Sequence, residues 1–468
     1  MNQPGGRSRL GALHAQRVFA DVGLRYAPAA AAGAIAWSHL GGPADGALVA
    51  AATLLAAATL VPSRHPMHLT PISAASVRAL VPVVGALIAG LVGLALEPID
   101  ALGLTLAVLG AWIVTALVAW IATRFETGLE ARIAVIGPAE IAESLVRELN
   151  LTGTRGYRVV GWIDGDSEPA REGALGSLVE LRATVKRERL DLLVQATEGS
   201  AVVASVADSC LGLEVRLIGA NQLFEELFGH VPIATMNSAF FQYLMHPRYD
   251  GGSQGLKRLV DLLAGSLAAL VLAPVMAIAA AAVKLGDDGP VLFRQVRVGR
   301  GGREFKIVKL RTMGVDAERD GARWSQAGDD RVTRVGRVLR RTHIDELPQL
   351  WNVLLGEMTL VGPRPEVPSI VAELEWQIPF YDRRGLVKPG ITGWAQVRCG
   401  YAGSEAGTAW KLCHDLYYLK HRSLGLDLMV MLETVATAFR NVQFAVRAPD
   451  ERFVLDAVRE VEDAVPAA

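Results

Sequence analysis

Long apolar segments constrain the fold of this chain more than any other feature of its sequence. A membrane-spanning helix needs about 20 mainly apolar residues. Four apolar segments lie in the first quarter of the chain, at roughly residues 26–40, 46–62, 79–95 and 101–122, and the first of them is short. The composition agrees with a membrane protein, because 51% of the residues are hydrophobic and only 20% are charged. The sequence therefore predicts a bundle of four transmembrane helices within residues 1–125.

Basic residues in the short loops predict the orientation of these helices. They precede the first segment, separate the second from the third and follow the fourth, at Arg7, Arg9, Arg17, Arg25, Arg64, Arg78, Arg124 and Arg132. The two other loops, 41–45 and 97–100, contain no Lys or Arg. By the positive-inside rule the N-terminus and everything after residue 122 are expected in the cytoplasm. No small-residue cleavage pattern follows the first segment, which favours an anchor over a cleaved signal peptide.

The net charge of the chain bears on a nucleic-acid partner, and its cysteines bear on metal sites and disulfides. With 47 Lys and Arg against 48 Asp and Glu the net charge is −1, which gives no indication of a nucleic-acid partner. The three cysteines, Cys210, Cys399 and Cys413, show neither metal-ligand spacing nor the even number of a disulfide framework. We expect them to be packing residues.

An α/β pattern follows the apolar segments. The stretch "ARIAVIGPAEIAESLVREL" (131–149) has a short β-branched run, a glycine and an amphipathic helical pattern, in the order of a first βα unit. Further strand patterns occur in "GYRVVGWIDGD", "LDLLVQA" and "LEVRLIGA". These predict a Rossmann-like cytoplasmic module over residues 130–240. Ala139 and Ala142 stand where a dinucleotide fingerprint has glycine, so a sheet that binds no dinucleotide is favoured.

A fifth apolar run covers residues 262–283. Its helix would be ~33 Å long, enough to cross a bilayer core of ~30 Å, and a simple span is one interpretation. Pro274 lies in its middle and would break the helical hydrogen bond to Leu270. Both flanks are basic, which favours the cytoplasmic side for both ends. The favoured prediction is a re-entrant membrane helix over 255–285 that is broken at Pro274.

The region after this run is basic and begins with a hairpin pattern. The stretch "VLFRQVRVGRGGREFKIVKLRTM" (291–313) predicts two strands, with Gly299, Gly301 and Gly302 at the turn. A phosphate-binding role for these glycines is the alternative, but no helix start follows them. A basic patch beside a bilayer is suited to anionic lipid or to a phosphate-bearing substrate.

Two adjacent acids, Asp345 and Glu346, stand at the head of an amphipathic helical pattern in "THIDELPQLWNVLLGEM" (342–358). One interpretation is structural: Thr342 and Asp345 resemble a capping box, and Glu346 suits the positive end of the helix dipole. The other is phosphoryl chemistry, in which a helix start keeps one carboxylate ionised as a nucleophile and the other binds Mg²⁺. Positive charge for a diphosphate is available nearby, at Arg340, Arg341 and Arg364.

Four motifs together resemble the bacterial sugar transferases, the polyprenyl-phosphate hexose-1-phosphate transferases that initiate glycan assembly. They are the stretch that runs from "KRLVDLL" to "FKIVKLRTM" (257–313), "DELPQLWNVLLGEMTLVGPRP" (345–365), "VKPGITGWAQV" (387–397) and "DLYYLKHRSLGLDLMVMLETV" (415–435). The stretch "GYAGSEAGTAWKLCHDLYYLKH" is similar to the branch associated with exopolysaccharide synthesis. The resemblance implies a monotopic α/β, mostly helical catalytic domain over residues 286–468.

The resemblance also implies an activity and roles for residues. A UDP-sugar would donate its phosphosugar to undecaprenyl phosphate and release UMP, in the bacterial cytoplasmic membrane with the catalytic domain on the cytoplasmic face. Asp345 would be the nucleophile that forms a covalent phosphosugar intermediate. Glu346 would hold Mg²⁺, while Arg340 and Arg364 would bind phosphate. The membrane helix of the family is often broken at Ser-Pro, whereas this chain has Ala273 before Pro274.

The sugar and the partners are open at this point. UDP-glucose is the expected donor, with galactose or an N-acetylated sugar as alternatives. Membrane lipids, downstream glycosyltransferases and a second copy of the chain are the other expected partners. A membrane-bound nucleotide-sugar dehydratase is disfavoured, because none of the eight tyrosines has Lys four residues later. A non-catalytic membrane scaffold or sensor is the remaining alternative.

Overall fold

The computed structural model describes most of the chain after residue 129. The described ranges are 130–152, 156–165, 170–196, 200–232, 253–286, 288–315, 317, 329–399 and 405–440, with scattered positions between 27 and 117. The chain divides into two compact units, Met1–Gly229 and His230–Ala468. Most of the four predicted transmembrane helices lies outside the described residues, so the bundle and its orientation stay predictions.

The first unit contains a parallel four-stranded sheet. Its strands are β1 (Ala131–Ile136), β2 (Tyr157–Ile163), β3 (Leu192–Gln195) and β4 (Arg216–Gly219), in the order β2-β1-β3-β4. The helices are α1 (Ala139–Thr152), α2 (Leu181–Glu188), α3 (Ser200–Cys210) and α4 (Ala220–Phe228). The four strand patterns of the sequence are therefore confirmed. Its classification as a Rossmann-like module stays a prediction.

Alternation along β1 explains why this sheet is buried on both faces. Ile133 and Val135 contribute to one hydrophobic cluster, which includes Leu145 of α1. Ala134 and Ile136 contribute to a second cluster. Successive side chains of a strand point to opposite faces, and a parallel sheet covered on both sides reads as a continuous apolar run.

Among the described residues, the first helix of the second unit is long and apolar, α5 (Ser253–Gly286). The helix assignment continues through Pro274. A proline can bend a helix without ending it, so the break at Pro274 stays a prediction. A proline removes one backbone hydrogen bond, and the bonds on either side hold this helix together across the gap. Among the described residues α5 is the one helix that is long and apolar enough to cross a membrane. The re-entrant path itself stays a prediction.

A hairpin and a series of helical segments follow α5 among the described residues of this unit. Strands β5 (Leu292–Val298) and β6 (Glu304–Leu310) are antiparallel, with the three predicted glycines at their turn. Then come α6 (Arg334–Thr342), a 3-10 segment (Ile344–Gln349), α7 (Leu350–Leu355), β7 (Thr359–Val361), α8 (Pro368–Gln377), a 3-10 segment (Tyr381–Leu386), β8 (Gly390–Thr392), α9 (Trp394–Cys399), α10 (Glu405–His421) and α11 (Leu424–Arg440). Strands β7 and β8 form a short parallel pair.

Both ends of α5 pack against the same unit. Near its start the Asp261 carboxylate accepts hydrogen bonds from the Thr359 hydroxyl, at 2.7 Å, and from the Leu360 amide, at 3.1 Å. Near its end Ala279 and Val283 are buried in a cluster with Leu310 and Leu339, among others. Large apolar side chains of α5 are exposed between and around these contacts, at Leu259, Leu263, Leu267, Leu270, Val271, Val275 and Ile278.

Candidate active site

The acid pair lies on a 3-10 turn rather than at the start of an α-helix. Helix α6 ends at Thr342, and His343 follows in the left-handed region with φ 56°. The capping box predicted for Thr342 and Asp345 is wrong. The Thr342 hydroxyl instead donates back into α6, to the carbonyl oxygens of Val338 at 2.9 Å and Leu339 at 3.1 Å. A threonine side chain can satisfy itself on the preceding turn in this way, and the capping role then disappears.

Asp345 is buried and incompletely satisfied. The residue is only 8% exposed, and among the described residues its Oδ1 has no hydrogen-bond partner. Burial raises the pKa of the Asp345 carboxyl, and the neighbouring Glu346 charge raises it further. Lys309 and Arg340 act in the opposite direction. A carboxylate oxygen without a hydrogen-bond partner keeps its lone pairs available, which is what an attacking oxygen needs.

Glu346 is held by two cations. Arg364 binds it with both guanidinium nitrogens, Nη2 to Oε1 at 2.6 Å and Nη1 to Oε2 at 3.2 Å. Lys309 Nζ approaches Oε1 at 3.2 Å. Burial opposes ionisation of Glu346, but the two positive charges outweigh it and hold the pKa of this carboxyl well below its usual range. Glu346 is therefore an ionised carboxylate next to a carboxyl whose pKa is raised.

The Pro-Arg-Pro turn that carries Arg364 is fixed from both sides. Arg384 donates to the Arg364 carbonyl oxygen at 3.0 Å and forms an ion pair with the buried Asp415 at 2.9 Å. Arg297 of β5 donates to the Pro365 carbonyl oxygen at 3.0 Å. Because the backbone on either side of Arg364 is anchored, its guanidinium is aimed at Glu346 before any ligand arrives.

The two arginines of α6 lie in different surroundings. Arg340 is partly buried and donates from Nε to the Thr312 hydroxyl at 2.9 Å. Its charge lowers the pKa of Asp345, which places it within electrostatic reach of the acid pair. Arg341 lies on the exposed side of the same helix. The described structure thus brings Arg340, Arg364, Asp345 and Glu346 together, and their chemical roles stay predictions.

Lys309 was missed by reasoning from the sequence. It lies on β6, and its partner Glu346 is 37 residues further along the chain. One signal was available. Along β6 it shares a face with Phe305 and the buried Ile307, so a lysine occupies a position that alternation assigns to the core. A lysine is rarely buried unless it is paired with an acid.

Asn352 was also missed, and it ties α7 to β6. It is only 1% exposed. Its amide nitrogen donates to the Lys306 carbonyl oxygen at 2.8 Å, and its amide oxygen accepts from the Val308 amide at 3.2 Å. These two bonds flank Ile307 and fix the strand that carries Lys309. The segment that carries Glu346 and the strand that carries Lys309 are thereby held in register.

The residues present fit a single magnesium ion bound together with substrate. Among the described residues no group of three or more His, Cys, Asp or Glu side chains could hold a metal. Mg²⁺ needs only one or two carboxylates when phosphates and water complete its shell. From the part of the chain that the structure describes, Oε2 of Glu346 accepts one hydrogen bond and keeps one lone pair, and Oδ1 of Asp345 accepts none.

The chain is similar to known proteins over this site. The bacterial sugar transferase family model matches residues 252–441. A UDP-N-acetylgalactosamine-undecaprenyl-phosphate N-acetylgalactosaminephosphotransferase of Aeromonas hydrophila is 43% identical over 229 residues, which are 49% of this chain and 53% of that protein. A UDP-glucose:undecaprenyl-phosphate glucose-1-phosphate transferase of Caulobacter vibrioides is 46% identical over 181 residues, 38% of this chain and 68% of that protein. An Escherichia coli protein of the latter name is 35% identical over 321 residues, 66% of this chain and 68% of that protein. The chain spans about half the length of the first of these relatives.

Proposed function

The chain belongs to the bacterial sugar transferase family, and from that premise we propose that it transfers a hexose 1-phosphate from a UDP-sugar to undecaprenyl phosphate. One observation carries the proposal: Asp345, a buried carboxyl with one oxygen that has no hydrogen-bond partner among the described residues, stands beside a carboxylate that Arg364 and Lys309 keep ionised. The relatives act on UDP-glucose or UDP-N-acetylgalactosamine according to their names. UDP-glucose is the proposed donor.

The reaction proceeds in two displacements at one phosphorus atom. An oxygen of Asp345 attacks the phosphorus that carries the sugar, and the bond from that phosphorus to the oxygen of UMP breaks. UMP leaves with the bonding electrons and the enzyme holds an acyl phosphosugar. An oxygen of undecaprenyl phosphate then attacks the same phosphorus and releases Asp345 as a carboxylate. One phosphoanhydride is broken and one is formed, so no further energy source is needed.

The chain's own charges account for both displacements. Burial raises the pKa of Asp345, which makes its ionised form a stronger nucleophile once the proton is lost. Arg340 and Arg364 bind phosphate oxygens and neutralise charge on the leaving UMP. Glu346 would hold Mg²⁺, which supplies additional positive charge at the diphosphate when bound. Lys309 keeps Glu346 ionised and oriented.

The packing of α5 supports a re-entrant path. Asp261 and Val283 are 22 residues apart, a rise of ~33 Å along a helix. Both contact the unit that contains the acid pair, through Thr359 and Leu339 respectively. A helix that crossed the bilayer would put these two contacts on opposite sides of it. A helix that bends at Pro274 and so enters and leaves by the cytoplasmic face would keep both, and it would hold the acid pair at the depth of the lipid phosphate.

The transfer assay tests the proposal directly. Membranes that contain the protein are incubated with radiolabelled UDP-glucose, Mg²⁺ and undecaprenyl phosphate, and are compared with membranes that contain Asp345→Asn. The expected result is labelled lipid and UMP from the native protein and neither from the variant. Product that survives in the variant would overturn the role of Asp345. Absence of product with UDP-glucose, UDP-galactose and the N-acetylated UDP-sugars would favour a non-catalytic scaffold.

A further inference from the structure

Helix α6 has one apolar face and one basic face. Val335 and Leu339 point into the protein, and Leu339 is buried. The opposite face exposes three arginines around a valine that is 61% exposed, namely Arg334, Arg337, Arg341 and Val338. Residues three, four and seven positions apart lie on one side of a helix. The helix sequence "RVGRVLRRT" contains no acid.

The apolar face of α6 rests on the membrane helix. Val335 and Leu339 pack in one cluster with Ala279 and Val283, close to the end of α5. Exposed apolar side chains of α5 continue on either side of this contact, at Ile278 and Leu285. The basic face of α6 therefore lies close to the end of the apolar helix α5. The headgroups of a bilayer lie at the level where an apolar membrane helix ends.

We propose that the basic face of α6 lies on the bilayer surface and binds the phosphates of anionic lipid headgroups. Charge complementarity selects this partner, because juxtamembrane arginines attract anionic lipids. Val338 lies between the arginines, as in interfacial helices that place an apolar side chain among the headgroups. The balanced charge of the whole chain gives no support to a nucleic acid as the occupant.

Lipid retention by the full-length protein tests this inference without depending on the transfer reaction. The protein is reconstituted in vesicles of equal parts phosphatidylglycerol and phosphatidylcholine, extracted in a mild detergent, and analysed for retained lipid by native mass spectrometry. Phosphatidylglycerol should be enriched severalfold over phosphatidylcholine. In Arg334→Gln/Arg337→Gln the enrichment should fall by about fivefold or more. Raised salt during extraction should reduce the enrichment of the native protein.

Two control variants test whether the anionic lipid binds at this face of α6. Lys186→Gln/Arg158→Gln removes two exposed charges from the first unit and should leave the enrichment unchanged. Arg334→Lys/Arg337→Lys keeps the charge and should keep the enrichment. Equal loss in the lysine variant, or an unchanged enrichment in the glutamine variant, would overturn the inference. Displacement of the retained lipid by millimolar inorganic phosphate or UDP-glucose would also overturn it, because the surface would then be a site for soluble phosphates.

Discussion

Asp345→Asn should abolish transfer and at the same time stabilise the protein. The carboxyl is buried, its Oδ1 has no partner among the described residues, and its pKa is raised. A buried polar atom without a hydrogen bond costs about 1–3 kcal/mol, more when it is charged. Asparagine has nearly the same shape and keeps a polar atom at this position, but it removes the charge, whose burial beside Glu346 raises the pKa of Asp345. We therefore expect the free energy of unfolding to rise by about 1 kcal/mol, or about 2–4 °C in midpoint for a unit of this size.

The direction of the pKa shift of Asp345 determines how the stability difference between the two proteins changes with pH. A carboxyl whose pKa is raised by folding loses its proton in the unfolded chain at lower pH than in the folded one. Its ionisation therefore costs stability as the pH rises from the ordinary aspartate range through the raised pKa. The variant lacks this cost. The stability difference should be small at acid pH and reach its full size above the folded-state pKa of Asp345.

Denaturant unfolding of the two proteins in the same detergent, followed by fluorescence at several pH values, measures this difference. Asp288→Asn is the matched control, because Asp288 is exposed and its substitution should change stability by less than about 0.5 kcal/mol. A variant that is less stable than the native protein at neutral pH would refute the reasoning. A difference that does not change with pH would refute it equally, because the raised pKa would then have no thermodynamic consequence.

Three further substitutions test the surroundings of the acid pair. Arg364→Lys loses the two-nitrogen contact with Glu346 and should lower the transfer rate about 10- to 100-fold, measured as UMP release, with the protein still folded. Lys309→Met removes one of the two charges that keep Glu346 ionised, and the acid limb of the pH–rate profile should move to higher pH. Asn352→Leu leaves the Val308 amide and the Lys306 carbonyl without their partner. In a denaturant titration it should lower the free energy of unfolding by about 2–4 kcal/mol. An unchanged free energy of unfolding would contradict the role of Asn352 as the link between α7 and β6.

The strands and the hairpin were predictable because their signals are local. Ile133 to Ile136 form a short apolar run between a charged residue and a glycine, and the structure makes that run the buried strand β1. The turn of the β5–β6 hairpin falls on Gly301 and Gly302, which have φ of 66° and 75°. Glycine adopts such angles without steric cost, so the position of the turn is determined by residue type alone.

The details around the acid pair depend on long-range contacts and could not be read from spacing. His343 is in the left-handed region and ends α6, although no glycine marks that position. The predicted apolar face after Glu346 is divided between two environments. Met358 is fully buried beyond the end of α7, whereas Trp351 and Leu355 are 59% and 58% exposed. Helical periodicity selects a face, but it cannot distinguish protein interior from lipid.

The proline in α5 also shows that a local sequence signal does not by itself determine the structure. Pro274 predicts a lost hydrogen bond, and the helix nevertheless continues from Ser253 to Gly286. Packing at both ends, through Asp261 and Val283, holds the segment where local propensity alone would interrupt it. The residues that carry the predicted chemistry were found through motifs. Asn352 emerges only when the hairpin is folded onto the helical segments, and the one sequence signal for Lys309 is its core position on β6.

Isolation of the covalent intermediate tests the central claim most directly. Once the transfer assay has identified the donor, the purified protein is mixed with that UDP-sugar, labelled in the sugar, and Mg²⁺, without undecaprenyl phosphate. The mixture is quenched and digested, and the label is located by mass spectrometry. The account predicts about one UMP released for each protein molecule and a phosphosugar on the peptide that contains Asp345. Release of UMP only after undecaprenyl phosphate is added, with no labelled peptide, would contradict it.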